Sequence, residues 1–162
     1  MRLQYILSII LFFPLLVIQT TVVPLISING ITPDLIMILL VFYSMKYGQV
    51  YGTVLGFLYG FLFDLITGTL LGSTMIAKTL AGFIAGYFSN ENKVDNYLKS
   101  YSFLLIVLLC SVVDLVIGAF FTTMDLNTNF ILLFFNQGML PGIYTAVLSI
   151  FIIIFYPKRS IS

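Results

Sequence analysis

The sequence predicts an all-α integral membrane protein, a single polytopic membrane domain over residues 1–162 with six transmembrane helices. Three observations carry that expectation. Of 162 residues, 60% are hydrophobic and only 8% are charged, a composition far from that of soluble globular domains. Polar breaks divide the chain into six apolar stretches, and a crossing helix needs about 20 apolar residues, or roughly 17 in short cases. The basic residues also fall on one side. With the N-terminus inside, six crossings put Arg2, Lys46, Lys93, Lys99, Lys158 and Arg159 in the cytoplasm and leave the outer loops without Lys or Arg, as the positive-inside rule requires. An odd number of crossings would place Arg2 or the Lys158–Arg159 pair outside. Both termini are therefore expected on the cytoplasmic face of a cell membrane, and Lys78 alone among the basic residues lies within a span.

The elements follow in order. The first apolar run, from Tyr5 to Val23, begins after Arg2 as a signal peptide would, but lacks a small-x-small cleavage pattern and reads as a retained anchor. Pro14 is an expected kink. After a loop without basic residues, Thr32, Pro33 and Asp34 mark a helix start: a capping hydroxyl, a proline suited to the first turn, and a carboxylate at the positive end of the dipole. The second helix, Pro33 to Tyr47, is short for a span. A third is expected from Val50 to Ile66, with Gly68 to Gly72 as the turn, and a fourth from Ser73 to Ser89. The segment from Asn90 to Lys99 carries Glu91, Lys93, Asp95 and Lys99 and reads as an aqueous loop. The fifth span is Tyr101 to Phe121. The last apolar stretch, Phe130 to Tyr156, exceeds one span and is interrupted by Asn136, Gln137, Gly138 and Pro141. It either kinks there or lays Phe130 to Phe135 along the membrane surface.

Composition also excludes functions. Seven basic residues dispersed over the chain, with a net charge of +1, build no nucleic-acid-binding stripe. Cys110 is the only cysteine, so no internal disulfide can form, and it reads as a small buried side chain. There is no histidine, no metal-ligand cluster, no cofactor motif and no Gly-x-Ser-x-Gly element.

Gly48, Gly52, Gly56 and Gly60 recur every fourth residue, and the same stripe continues to Asp64. In lipid, close backbone approach at small residues and polar pairing must drive helix association, because lipid tails are as apolar as the side chains. Gly82 and Gly86 repeat the spacing on the fourth helix. An antiparallel hairpin in which Asp64 faces Lys78 would also place Gly60 opposite Gly82 and Gly56 opposite Gly86. That register predicts internal packing for Gly56 and Gly60. It leaves Gly48 and Gly52 for a partner helix or a second copy of the chain in a homodimer.

Asp64, Lys78 and Asp114 are the ionisable residues inside the predicted spans. Each costs roughly 2.5–3.5 kcal/mol near a helix centre unless paired, and all three count to a similar depth below the outer surface. They are expected to form a polar cluster, either an ion pair that fixes register or a pocket for a small ligand or a partner's side chain. Two intramembrane aspartates on different helices are also a property of membrane aspartyl peptidases. The asparagine- and glycine-rich motifs of those enzymes are missing around Asp64 and Asp114, so no catalytic role is expected.

The stretch Pro33-Asp34-Leu35 opening a short span, the run from Gly56 to Asp64, and then Gly68, Gly72 and Gly82-Phe83 resemble the rod shape-determining MreD family. The length and six-span layout agree. The resemblance implies a non-enzymatic subunit of the bacterial wall-elongation machinery, embedded in membrane lipid. Such a subunit would bind the single-pass protein MreC and, through it, link the filament MreB to RodA and a penicillin-binding transpeptidase. It also implies a fold similar to the substrate-binding subunits of energy-coupling-factor vitamin transporters, which makes transport the alternative function. Those subunits present small residues at four-residue spacing on their first helix and carry long outer loops, and neither feature is found here.

Overall fold

The computed structural model describes residues 2–28, 30–89, 101–123 and 139–155. Among them are six α-helices and no strand: α1 (Arg2–Thr21), α2 (Leu35–Tyr47), α3 (Gln49–Thr67), α4 (Ser73–Tyr87), α5 (Tyr101–Thr123) and α6 (Leu140–Phe155). A short 3-10 turn, Val23–Ile26, follows α1. Two helices, α3 and the Tyr101–Gly118 part of α5, are long and apolar enough to cross a membrane. The loop expected from Asn90 to Lys99, the stretch from Phe130 to Gly138 and the basic residues after Phe155 lie outside the described residues, while Pro141 falls in the first turn of α6.

The short α2 is the centre of the bundle. It packs against α1, α3, α4, α5 and α6, and Ile36, Met37, Leu40, Val41 and Met45 are all fully buried. A helix buried around most of its circumference shows no amphipathic stripe. Its 13 residues therefore gave no clue to their position beyond their apolarity. α2 starts at Leu35 rather than Pro33, because Asp34 itself is the N-cap: its carboxylate accepts the Met37 N–H at 2.9 Å. Gly48, with φ of +96°, is the single residue between α2 and α3, a backbone turn that a side chain would strain.

α1 is held to the bundle by polar as well as apolar contacts. The Ser8 and Tyr51 hydroxyls lie 2.5 Å apart, and the Tyr59 hydroxyl donates to the Ser8 carbonyl at 2.8 Å. The Tyr59 ring stacks on Phe12 with centroids 4.4 Å apart. At the far end, the Gln19 side chain donates to the Pro33 carbonyl and accepts from the Leu35 N–H. One amide thus satisfies two backbone groups at the α2 entrance.

α3 and α4 form the most extensive helix pair, in a register different from the one the sequence was expected to adopt. A Cβ at Gly52 would meet the Gly82 carbonyl, one at Gly56 the Lys78 carbonyl, one at Gly60 the Met75 backbone, and one at Gly86 the backbone of Gln49 and Gly48. α4 is thus displaced along α3 by two steps of the stripe. Gly52 is consequently not available to a partner, and it packs internally with Gly56 and Gly60.

The cause lies in the connecting turn. Asp64 accepts the Thr69 hydroxyl at 2.9 Å, the Gly72 N–H at 2.9 Å and the Met75 N–H at 3.2 Å. Its carboxylate occupies the positive end of the α4 dipole and draws the first turn of α4 down beside α3. Gly68 and Gly72 take the left-handed backbone that this fold-back demands, at φ of +68° and +106°.

Candidate functional site

With Asp64 engaged by the turn, Lys78 finds other partners. Side chains on a helix lean toward its N-terminus, which carries the Lys78 ammonium to the end of the bundle where α2 begins and α5 and α6 pass. There Nζ lies 2.5 Å from Asp34 Oδ2 and 3.4 Å from Asp114 Oδ2. The lysine is 2% exposed, Asp34 29% and Asp114 17%. Burying an ammonium so completely is tolerable only where carboxylates and hydrogen bonds replace its water.

The cluster expected from Asp64, Lys78 and Asp114 is thus regrouped. Lys78 and Asp114 come together, Asp34 joins them, and Asp64 serves the adjacent turn. The expected Asp64–Lys78 pairing is replaced because three donors from the α3–α4 connection already surround the Asp64 carboxylate. From the sequence, Asp34 reads only as part of a helix start. It fills both roles because Oδ1 caps Met37 while Oδ2 faces the lysine, the two carboxylate oxygens dividing the work.

Two further residues position the site. The Asp34 N–H donates to the Thr145 hydroxyl at 2.9 Å, and that hydroxyl donates in turn to the Pro141 carbonyl at 2.7 Å. α6 is thereby tied to the start of α2. Gln19 holds the same start from the side of α1. Polar residues within apolar runs, such as Gln19 and Thr145, are the available signal, since each needs a partner inside lipid.

These side chains surround a cavity of about 390 Å³, lined among others by Gln19, Asp34, Lys78, Ser111, Asp114 and Thr145. All six helices contribute, Met37 from α2 and Phe63 from α3 included, so the site exists only when the helices are assembled. Cys110, one turn before Asp114, is buried and points its thiol at the Ala81 carbonyl, a packing role.

A bundle of apolar helices with close glycine contacts and, among the described residues, a buried ion-paired centre defines the class, a helical membrane-associated protein. Comparison with protein families gives the particular identity: residues 1–159 match the family described as rod shape-determining protein MreD, and the chain belongs to that family. No curated protein and no solved structure matches the chain. The family is one of shape-determining membrane proteins, which gives this chain a role in rod shape determination.

Proposed function

We propose that the chain is a non-enzymatic scaffold subunit of the bacterial wall-elongation complex, crossing the cell membrane six times with both termini in the cytoplasm. It binds an MreC-like single-pass protein through helix contacts and so links the MreB filament to RodA and its penicillin-binding transpeptidase partner. The observation that carries this reading is the family match over nearly the whole chain. The helix packing supports it: the polar groups at the start of α2 are spent on joining helices to one another. The one-sided distribution of basic residues supports the topology.

Depletion of the protein in a rod-shaped host is expected to give round or widened cells, and the tagged protein is expected to bring down a single-pass membrane protein from native membranes. Normal cell shape after clean deletion, with loss of uptake of one vitamin, would overturn the proposal. Reporter fusions at the 90–100 connection and at both termini should all report the cytoplasm. An external signal from either terminus would rule out the six-span arrangement.

A further inference from the structure

The cavity at the Lys78 centre contains two polar atoms that the described residues leave without a partner. Asp114 Oδ1 and Ser111 Oγ are buried, and neither has a hydrogen-bond partner among the described residues. Ser111 is only 4% exposed, and both residues line the cavity. Buried polar atoms are seldom left unpaired, and a carboxylate oxygen least of all.

The neighbouring groups do not supply what these two lack. Asp34 Oδ1 accepts from the Met37 N–H, the Thr145 hydroxyl is shared between Asp34 and Pro141, and the Gln19 amide donates one N–H to Pro33 and accepts from Leu35. Asp114 Oδ1 is therefore left as a buried acceptor to which nothing donates among the described residues. Charge points the same way, since one ammonium stands against two carboxyl groups. The occupant that suits the site donates to Asp114 Oδ1, pairs with the Ser111 hydroxyl, which can give or receive, and brings a positive charge. Water meets the first two requirements and fails the third. A bare alkali ion meets the charge but leaves most of about 390 Å³ empty, a volume within the usual range for small organic ligands. Met37, Phe63 and Leu115 supply apolar wall for a carbon skeleton.

We propose that this cavity binds a small organic molecule through a primary ammonium group, which donates to Asp114 Oδ1 and Ser111 Oγ beside Lys78. A free amine and the headgroup of an ethanolamine lipid share this chemistry, and the bilayer composition separates them.

The test uses the full-length protein in phosphatidylcholine nanodiscs, titrated with ethanolamine hydrochloride while the melting temperature is followed. A ligand that binds only the folded state raises it in a saturable way. Tetramethylammonium chloride and sodium chloride at matched ionic strength, which bring charge without N–H donors, are expected to give no saturable rise. Ser111→Ala removes an unpartnered hydroxyl, so it should fold normally and weaken ethanolamine binding about tenfold, the effect of one charge-assisted hydrogen bond. Asp114→Asn should abolish it. In nanodiscs containing phosphatidylethanolamine, a melting temperature already raised and insensitive to added ethanolamine identifies the lipid as the source. An unchanged titration there identifies a free amine. The proposal is overturned by the absence of a saturable shift in phosphatidylcholine nanodiscs, by an equal shift with tetramethylammonium or sodium, or by a Ser111→Ala titration that matches the parent.

Discussion

Gly52 and Gly82 meet backbone to backbone, and a Cβ added to either would fall on the carbonyl of the other. Their contact fixes the position of α4 on α3, and with it the depth at which Lys78 enters the bundle. Gly52→Ala and Gly82→Ala are each expected to destabilise the protein by about 1–3 kcal/mol, the usual cost of overpacking. Gly118→Ala, where an added Cβ meets nothing within 4 Å, is the control and should be close to neutral. Denaturation in mixed detergent micelles measures all three, and equal stability of Gly52→Ala and Gly118→Ala would contradict the register.

Lys78 should couple energetically to Asp34 and not to Asp64. Removing one member of a buried ion pair strands its partner, which typically costs about 3–5 kcal/mol, so Lys78→Met is expected to be severe. In a double-mutant cycle, Asp34→Asn combined with Lys78→Met should cost less than the two singles together. Asp64→Asn combined with Lys78→Met should be additive, within about 0.5 kcal/mol. Coupling to Asp64 and none to Asp34 would refute the arrangement of the site.

Asp64 acts on the α4 start. Asp64→Ala should cost about 0.5–2 kcal/mol, the range for a lost N-cap, with Asp64→Asn milder because the amide oxygen still accepts. The local readout is hydrogen exchange at the Gly72 and Met75 amides, which the carboxylate now engages. Unchanged protection in Asp64→Ala would show that the cap does not hold the turn.

Gln19 serves the α1–α2 junction. Gln19→Leu leaves the Pro33 carbonyl and the Leu35 N–H without their partner, at about 1–3 kcal/mol for buried groups left unsatisfied. Faster proteolysis between α1 and α2, with α3–α4 protected as before, is the expected signature. Uniform destabilisation of the whole bundle would argue that Gln19 contributes general packing instead.

Much of this architecture was legible in the sequence, and the misreadings have identifiable physical causes. The helix positions follow from apolar runs and turn residues, so α3 begins at Gln49 and α4 at Ser73, each within a residue of expectation. The glycine stripes correctly announced a close α3–α4 contact. Their register was misread because stripes with a four-residue repeat match equally well after a slip of one or more steps. Asp64 breaks the degeneracy by binding backbone N–H groups of a turn, and no periodicity shows which donors a carboxylate will choose. The sequence marks Thr32 as the capping residue and Asp34 only as a carboxylate near the dipole, whereas Asp34 is itself the cap and its second oxygen reaches Lys78, 44 positions along the chain. Such a contact is a property of the assembled bundle rather than of any segment.

Lys78 is also synthesised before one of its two counter-charges exists. Asp34 precedes it by 44 residues, and Asp114 follows it by 36. When the α3–α4 hairpin leaves the ribosome, Asp64 is taken by the turn, and the lysine has the Asp34 carboxylate at α2 as its counter-charge. The arrival of α5 adds a second carboxylate and walls the cavity in. The half-made chain can therefore hold a one-to-one salt bridge, and the second carboxyl group joins the site only when α5 is made.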